Sequence, residues 1–397
     1  MNNICSQNEC TACFACANVC PKSAISFVEN EYGILYPEIN QNLCVNCYAC
    51  EKVCPNKSKR TFVIPKSCYV AWRTDDKKRR RSASGGIANA FSEYIINKEN
   101  GSVWGVETTS DFEAVFKEYT DISELEKTKG SKYVHSHILY ELKTIKQRLN
   151  EEKKVLFIGL PCQVAGLLNY LGKDYDNLVT CDLICHGVLP GSYLQNEINF
   201  LRHKRHRAEI ASCSFRDNAG SNFCFVLYNS QGRSCYRKQA YFQPYFSAFL
   251  QAVALRPNCN KCKYARPERI SDITLGDYIG LGKDAPFSEK SINNSMVTIN
   301  SGKGQDFWNS FIKDNVEIKS FERDYNKAVP FQPSLVKPFA PHSYTDKFLK
   351  KYKILGFAKA ARKTFSTEIK IRNLKRMVYI LLHLYKAPRK IIRCLKK

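Results

Sequence analysis

Apolar and polar positions alternate in blocks along the chain, and the clearest period lies in its middle. In "KKVLFIGLPCQVAGLLNYLG" residues 155–158 are continuously apolar, as in a strand buried on both faces, and the residues after them recur at helical spacing. Pro161 opens that helix and Gly172 closes it. "NLVTCDLICHGVLPG" follows, apolar and β-branched as far as Cys185 before a Gly- and Pro-containing turn. Strand, helix and strand at this spacing predict a βαβ unit whose strands run parallel and end on one edge of a sheet, where open α/β sheets carry their chemistry. Upstream, "AISFVENEYGILYPEI" predicts short strands with a turn, and "RRRSASGGIANAFSEYIIN" predicts a helix opened at its serines and glycines. Downstream, Ile354, Phe357, Ala358, Ala361 and Phe365 recur at helical spacing among Lys350, Lys351, Lys353, Lys359, Arg362 and Lys363, which predicts an amphipathic helix. The expected fold class is α/β, α+β overall.

A duplication precedes these blocks. "CTACFACANVCP", from Cys10, recurs as "CVNCYACEKVCP", from Cys44, each cysteine lying 34 residues after its counterpart. In each C-x2-C-x2-C-x3-C-P copy, three closely spaced thiolates wrap three corners of a cubane cluster, and the fourth, followed by Pro21 or Pro55, reaches the other cubane. The spacing assigns Cys10, Cys13, Cys16 and Cys54 to one 4Fe-4S centre and Cys44, Cys47, Cys50 and Cys20 to the other. Zinc prefers paired C-x2-C units with a longer spacer, and disulfides belong to secreted chains; neither explains the twofold pattern. A two-cluster ferredoxin module is therefore expected over residues 1–64, an oxidoreductase domain over 65–340 and a basic helical tail over 341–397.

The 397 residues are 44% apolar, ordinary for globular domains, and no opening stretch has the order of a signal peptide, which predicts a cytoplasmic protein. In that compartment nineteen cysteines argue for metal ligation. Cys162 and Cys185 fall at the ends of the paired strands, and "PNCNKC" supplies Cys259 and Cys262, so a third 4Fe-4S site on these four is expected. The alternative makes the first two core residues and the second two half of a zinc knuckle. Cys181 rivals them as a ligand, while Cys5, Cys68 and Cys394 read as unpaired thiols. Of the net charge of +24, residues 346–397 hold +15, from 17 Lys or Arg against two acids.

With these blocks in place, "SASGGIANAF", "KGSKYVHS", "GLPCQVAGL", "DLICHGV", "SFRD" and "CNKCKYARPERISDITLGDYIG" resemble, in order, the motifs of the coenzyme F-420 hydrogenase/dehydrogenase beta-subunit family. The resemblance implies an iron-sulfur flavoprotein holding FAD, and many bacterial relatives resemble reductases associated with surface-polysaccharide assembly. Flavin is expected for a second reason: clusters deliver single electrons, whereas reducing an organic bond takes a pair. The family match makes Ser84, Gly85 and Gly86 candidate FAD contacts, with Lys129, Gly130 and Ser131 of "KGSKY"; Asp272 and Asp277 are candidates to orient the flavin or bind an arginine. Candidate proton donors are His186, Lys132 and Tyr133. Where family members often show Trp and Gly after the Asp-aromatic pair, this chain has Ile279 and Gly280, so the wall of the substrate pocket differs. The Gly280 motif "GLGKDA" meets Pro286 at once and carries no acid at the spacing an NAD site needs.

These features imply as partners a small-molecule or lipid-linked glycan substrate, an electron donor such as a ferredoxin, and an anionic membrane surface met by the tail at the inner face. Residues 377–385 are the tail's longest apolar stretch, far short of the roughly 20 a span requires. The same chemistry would suit an electron-relay subunit of a larger complex. An iron-sulfur nucleic-acid-binding protein is the reading from another class; nucleic acid is not expected, because no such motif is present and the centre is only mildly basic.

Overall fold

The computed structural model describes residues 3–58, 60–204, 209–216, 223–289 and 293–386, with side chains as far as 379. Strands β1 (Ile25–Glu29) and β2 (Leu35–Ile39) pair as an antiparallel hairpin between the two cysteine motifs. Next come β3 (Ser67–Arg73), β4 (Ser102–Thr108), β5 (Ala114–Tyr119), β6 (Ser136–His137), β7 (Val155–Gly159) and β8 (Leu178–Leu183). A separate antiparallel sheet holds β9 (Ser212–Arg216), β10 (Phe223–Tyr228) and β11 (Ser234–Gln239). After it lie β12 (Ile273–Asp277), β13 (Ser295–Ile299) and β14 (Ile318–Arg323).

Among the described residues the main sheet runs β14-β3-β13-β12-β8-β7-β4-β5-β6. Its centre, β12-β8-β7-β4, is parallel, so these strands end on one edge. The expected βαβ unit lies there. Helix Pro161–Leu171 crosses from β7 to β8, and Gly172 ends it in the left-handed region, at φ 72, which only glycine adopts freely. Alternate residues of β7 face opposite cores: Leu156 joins helices Ile87–Asn97 and Gly302–Asp314, while Val155 and Phe157 join helices Glu141–Asn150 and Pro161–Leu171. With both faces covered, the strand is apolar throughout.

The cysteine-rich unit is seated on this domain. Phe14 and Val53 belong to the same apolar cluster as Trp104 and Phe157. Polar stitches flank the seam: Asn18 Nδ2 donates to the Leu139 carbonyl at 2.6 Å, and His135 Nε2 meets the Thr11 carbonyl at 3.3 Å.

The tail requires a correction. Helix Thr345–Lys386 breaks at Gly356, and the stripe expected to face a membrane is largely consumed by the protein's own core. Phe357, Ala361 and Phe365 are fully buried with Phe348 against helices Gly191–Lys204 and Pro244–Leu250, Ala358 is nearly so, and of the stripe only Ile354 is exposed. Helical period identifies an apolar face but not the surface that covers it. Arg362 grips Glu197, itself fully buried, at 2.6 and 2.7 Å, and Lys353 reaches Glu31 of the hairpin at 3.0 Å. Farther along, Ile371, Leu374, Met377 and Val378 are exposed. No described helix is long and apolar enough to cross a membrane. Cys394 lies outside the described residues.

Candidate functional site

The repeated motif curls the backbone the same way twice. Ala12 and Phe14 in the first copy, and Asn46 and Tyr48 in the second, take left-handed φ of 49°, 62°, 53° and 58°. These turns point the cysteines inward. Cys10, Cys13 and Cys16 line one cavity together with Cys54 of the second copy, and Cys44, Cys47 and Cys50 line another together with Cys20 of the first. The first set is buried, whereas Cys47 is exposed beside exposed Leu43, Val45 and Tyr48. Cys5, outside the motif and read as an unpaired thiol, lines the first cavity too. It sits beside Cys10 and Cys54, whose hydrogen bonds, ahead of burial, push its thiol far up.

A third set of thiols meets behind the first. Cys162 opens helix Pro161–Leu171, Cys185 follows β8, Cys259 lies in the turn Pro257–Lys261 and Cys262 just after it. Burial first, and then Cys262, Cys185, Cys259 and Cys13, push the Cys162 thiol well above its ordinary value. Cys185 is raised by burial and then by Cys259 and Cys262. Arg269 fixes the loop, pairing with Asp182 at 2.9 Å and donating to the Tyr264 carbonyl at 3.1 Å. Close approach is built in: a Cβ on Gly166 would meet Cys13 Cβ at 2.8 Å, and one on Gly187 would meet Cys259 Cβ at 3.3 Å. Among the described residues no three His, Cys, Asp or Glu side chains form a single-ion site. Thiols that raise one another's pKa resist shared ionisation, and a cationic core between them relieves that resistance, so the donor set fits a cluster. Cys181, the rival, belongs to the core of the opposite sheet face, and Cys68 is buried away from these thiols.

At the strand ends lies a cavity of about 440 Å3 lined from all four parallel strands, by Val106, Gly159, Leu183 and Gly276 among others. Cys185 and His186 form one wall, so the third thiol set abuts it. Helix Ile87–Asn97 begins at another with Gly86, at φ 82, as N-cap and without a side-chain cap, which leaves first-turn amides for an anion. Ser84 lines the cavity and is held by a 2.6 Å bond to the Asn294 carbonyl. Asn89, on the helix's first turn, is 7% exposed, and among the described residues neither amide atom has a partner. Lys129, Gly130 and Ser131 line the same space, and among the described residues a Cβ on Gly130 would meet nothing within 4 Å.

Two glycine and aspartate assignments are corrected. Gly85 is no cavity residue: a Cβ there would overlap the Ala71 carbonyl of β3 and meet Ser295 N at 2.8 Å, so it serves close packing of strands. Asp272 precedes β12 while Asp277 ends it, which puts the two at opposite edges of the sheet. Asp272 accepts from Thr180 N and Oγ1 at 2.8 and 2.7 Å and from Ser301 at 2.6 Å. Asp277 lines the cavity and binds Arg216 at 2.6 Å.

The proton-donor candidates converge there in altered roles. Lys132 donates to the carbonyls of Lys127, Thr128 and Lys129 at 3.2, 2.7 and 3.0 Å, which commits its three donors to holding its own loop. Burial draws it down to about 7. His186 Nε2 faces the Phe249 carbonyl at 3.0 Å and so carries the proton; burial lowers its pKa, leaving Nδ1 as the acceptor. Tyr133 accepts from Arg216 Nη2 at 3.0 Å. Sequence reasoning missed Arg216 and Asn89 as site residues, although both lie in or beside the family-like motifs "SFRD" and "SASGGIANAF".

Residues 152–324 match the model of the C terminus of the coenzyme F420 hydrogenase/dehydrogenase beta subunit, and residues 9–58 match the 4Fe-4S dicluster domain. No curated protein matches. Among solved structures the chain is similar to one from the F420-reducing [NiFe] hydrogenase complex of Methanosarcina barkeri, at 16% identity over 77% of this chain and 93% of that one, with a TM-score of 0.45. The chain thus joins a 4Fe-4S dicluster unit to a domain that matches the C terminus of the coenzyme F420 hydrogenase/dehydrogenase beta subunit.

Proposed function

We propose that this oxidoreductase is a flavoprotein, with FAD in the cavity at the strand ends and a third 4Fe-4S cluster on Cys162, Cys185, Cys259 and Cys262. One observation carries the reading: a cavity of about 440 Å3, in the range of cofactor sites, is lined both by Cys185 of the third thiol set and by a helix start without a side-chain cap. The clusters would supply single electrons and the flavin would pair them. Gly86 and the first-turn amides would take the pyrophosphate, and Asn89 a polar edge of the cofactor. His186, neutral and accepting at Nδ1, would hold a proton position beside the cluster wall. Arg216, fixed by Asp277 and Tyr133, would orient an anionic part of the substrate. The exposed cage at Cys47, ringed by Leu43, Val45 and Tyr48, would receive a protein electron donor such as a ferredoxin. The exposed turns after Glu368 are the part of the tail left to meet an anionic membrane surface.

Anaerobic purification followed by iron, sulfide and flavin analysis tests the proposal. About twelve irons and one FAD per chain are expected. Eight irons would remove the third cluster, and a chain that neither retains nor rebinds FAD would remove the flavin.

A further inference from the structure

Arg256 lies between the first ferredoxin cage and the third thiol set. It is 1% exposed and immediately precedes the turn that carries Cys259. Its backbone accepts from Cys259 N at 2.9 Å and donates to the Val188 carbonyl at 3.0 Å. Its guanidinium crosses to the other unit, where Nη2 donates to the carbonyls of Cys10 at 3.0 Å and Leu35 at 2.9 Å, while Nε reaches Asn258 at 3.3 Å. Among the described residues Nη1 has no partner, and no carboxylate forms an ion pair with the side chain. A buried guanidinium supported by carbonyls alone is an uncompensated charge, and native interiors do not keep such charges without an anion nearby. The groups that answer Arg256 electrostatically, after the burial that lowers its pKa, are Cys10, Cys259 and Cys162, with Glu29 following them. Cys10 belongs to the first cage and the other two to the third.

We infer that Arg256 is the shared counter-charge of these two cages and raises the reduction potential of both clusters relative to the outer one on Cys20, Cys44, Cys47 and Cys50. For the third cage this rests on the cluster proposed above. A thiolate-ligated cluster gains one negative charge on reduction, so a fixed buried cation favours the reduced form, and low local dielectric keeps the effect from being screened. Arg256 is thus a positioning residue for charge: it makes both inner cages better electron acceptors than they would be without it, and leaves the outer one untouched.

The test is an EPR-monitored redox titration of the full chain carrying Arg256→Met, Arg256→Gln or Arg256→Lys. Each signal is assigned by its loss in Cys16→Ser, Cys50→Ser or Cys162→Ser. In the neutral variants the reduced-to-oxidised ratio of both inner clusters at fixed potential should fall tenfold or more, about 59 mV by the one-electron conversion. The outer cluster should not move, and Lys should restore most of the difference. No shift, or an equal shift of all three, overturns the inference. If the neutral variants lose inner iron, Lys decides: iron retained at near-parental potentials supports a need for charge, and iron lost with Lys as well overturns it. A parent chain with two clusters sinks the third-cluster proposal alone, and the first cage then reads Arg256 by itself.

Discussion

Replacing Arg362 by Met should destabilise the protein in a pH-dependent way. Arg362 holds both oxygens of Glu197 at 2.6 and 2.7 Å, and Glu197, 0% exposed, also accepts from Gln243 Nε2 at 2.7 Å. Met keeps the aliphatic stem but removes the charge, leaving the buried carboxylate to the Gln243 amide. Breaking one side of a buried pair costs about 3–5 kcal/mol, and Arg362 is itself 23% exposed, so water can relieve part of the loss and about 3 kcal/mol is expected. At about 2 °C per kcal/mol this lowers the thermal midpoint by roughly 6 °C. Burial raises the Glu197 pKa while Arg362 and Gln243 lower it, so removing Arg362 sends it higher still. A carboxyl raised on folding carries no penalty below its unfolded value. The penalty grows as pH climbs from that value towards the folded one and is complete above it. The deficit should therefore shrink between pH 8 and pH 5, and adding Glu197→Gln should recover most of it. Anaerobic circular dichroism melts with iron content checked provide the assay. A midpoint within 1 °C of the parent, or a deficit independent of pH, would refute the account.

Cys162→Ser in the full chain should lower iron by about four atoms and abolish one of three EPR signals, while Cys68→Ser changes neither. Gly166→Val should push into Cys13, costing about 1–3 kcal/mol and depleting the first ferredoxin cage more than the outer one, measured as iron content and EPR after desalting. Asn89→Leu should weaken FAD retention by about 1–3 kcal/mol, roughly five- to 150-fold, in fluorescence titrations of the flavin-depleted chain; unchanged affinity would place the cofactor elsewhere. Glutamate at Ile371, Leu374 and Val378 should abolish sedimentation with anionic liposomes and leave the melting midpoint unchanged.

The parts most legible in the sequence were those with a fixed period. The eight motif cysteines repeat at a spacing that few other structures require, and the structure gathers them in crossed sets around two cavities. The parallel pairing of β7 and β8 follows from an apolar run, a helix and a second run, and it brings Cys162 and Cys185 to one edge. What failed had no local signature. Gly85 and Gly86 are adjacent, yet one packs against β3 and the other opens the cavity, a difference set by strands more than 200 residues away at Ser295 as well as by nearby Ala71. Asp272 and Asp277 read alike until β12 is placed between them. Arg256 and Cys5 belong to no motif, and only the seating of one unit on the other gives them neighbours. The tail stripe was legible as amphipathic, but the apolar surface that receives it comes from the separate sheet and its helices.

The seam under Phe14 and Val53 bears on how such proteins can be recombined. Both side chains lie in one apolar cluster with Trp104 and Phe157, so the iron-sulfur unit has no independent underside. A chimaera that joined an unrelated ferredoxin at the linker would bring a finished, water-facing surface to a socket shaped for an unfinished one. Exchange should succeed only when the socket face, including Gly166 and the residues around it, is transplanted with the donor's module. Under the proposed function, electron donors would be exchangeable at the exposed cage, whereas the inner joint would have to be inherited as a pair.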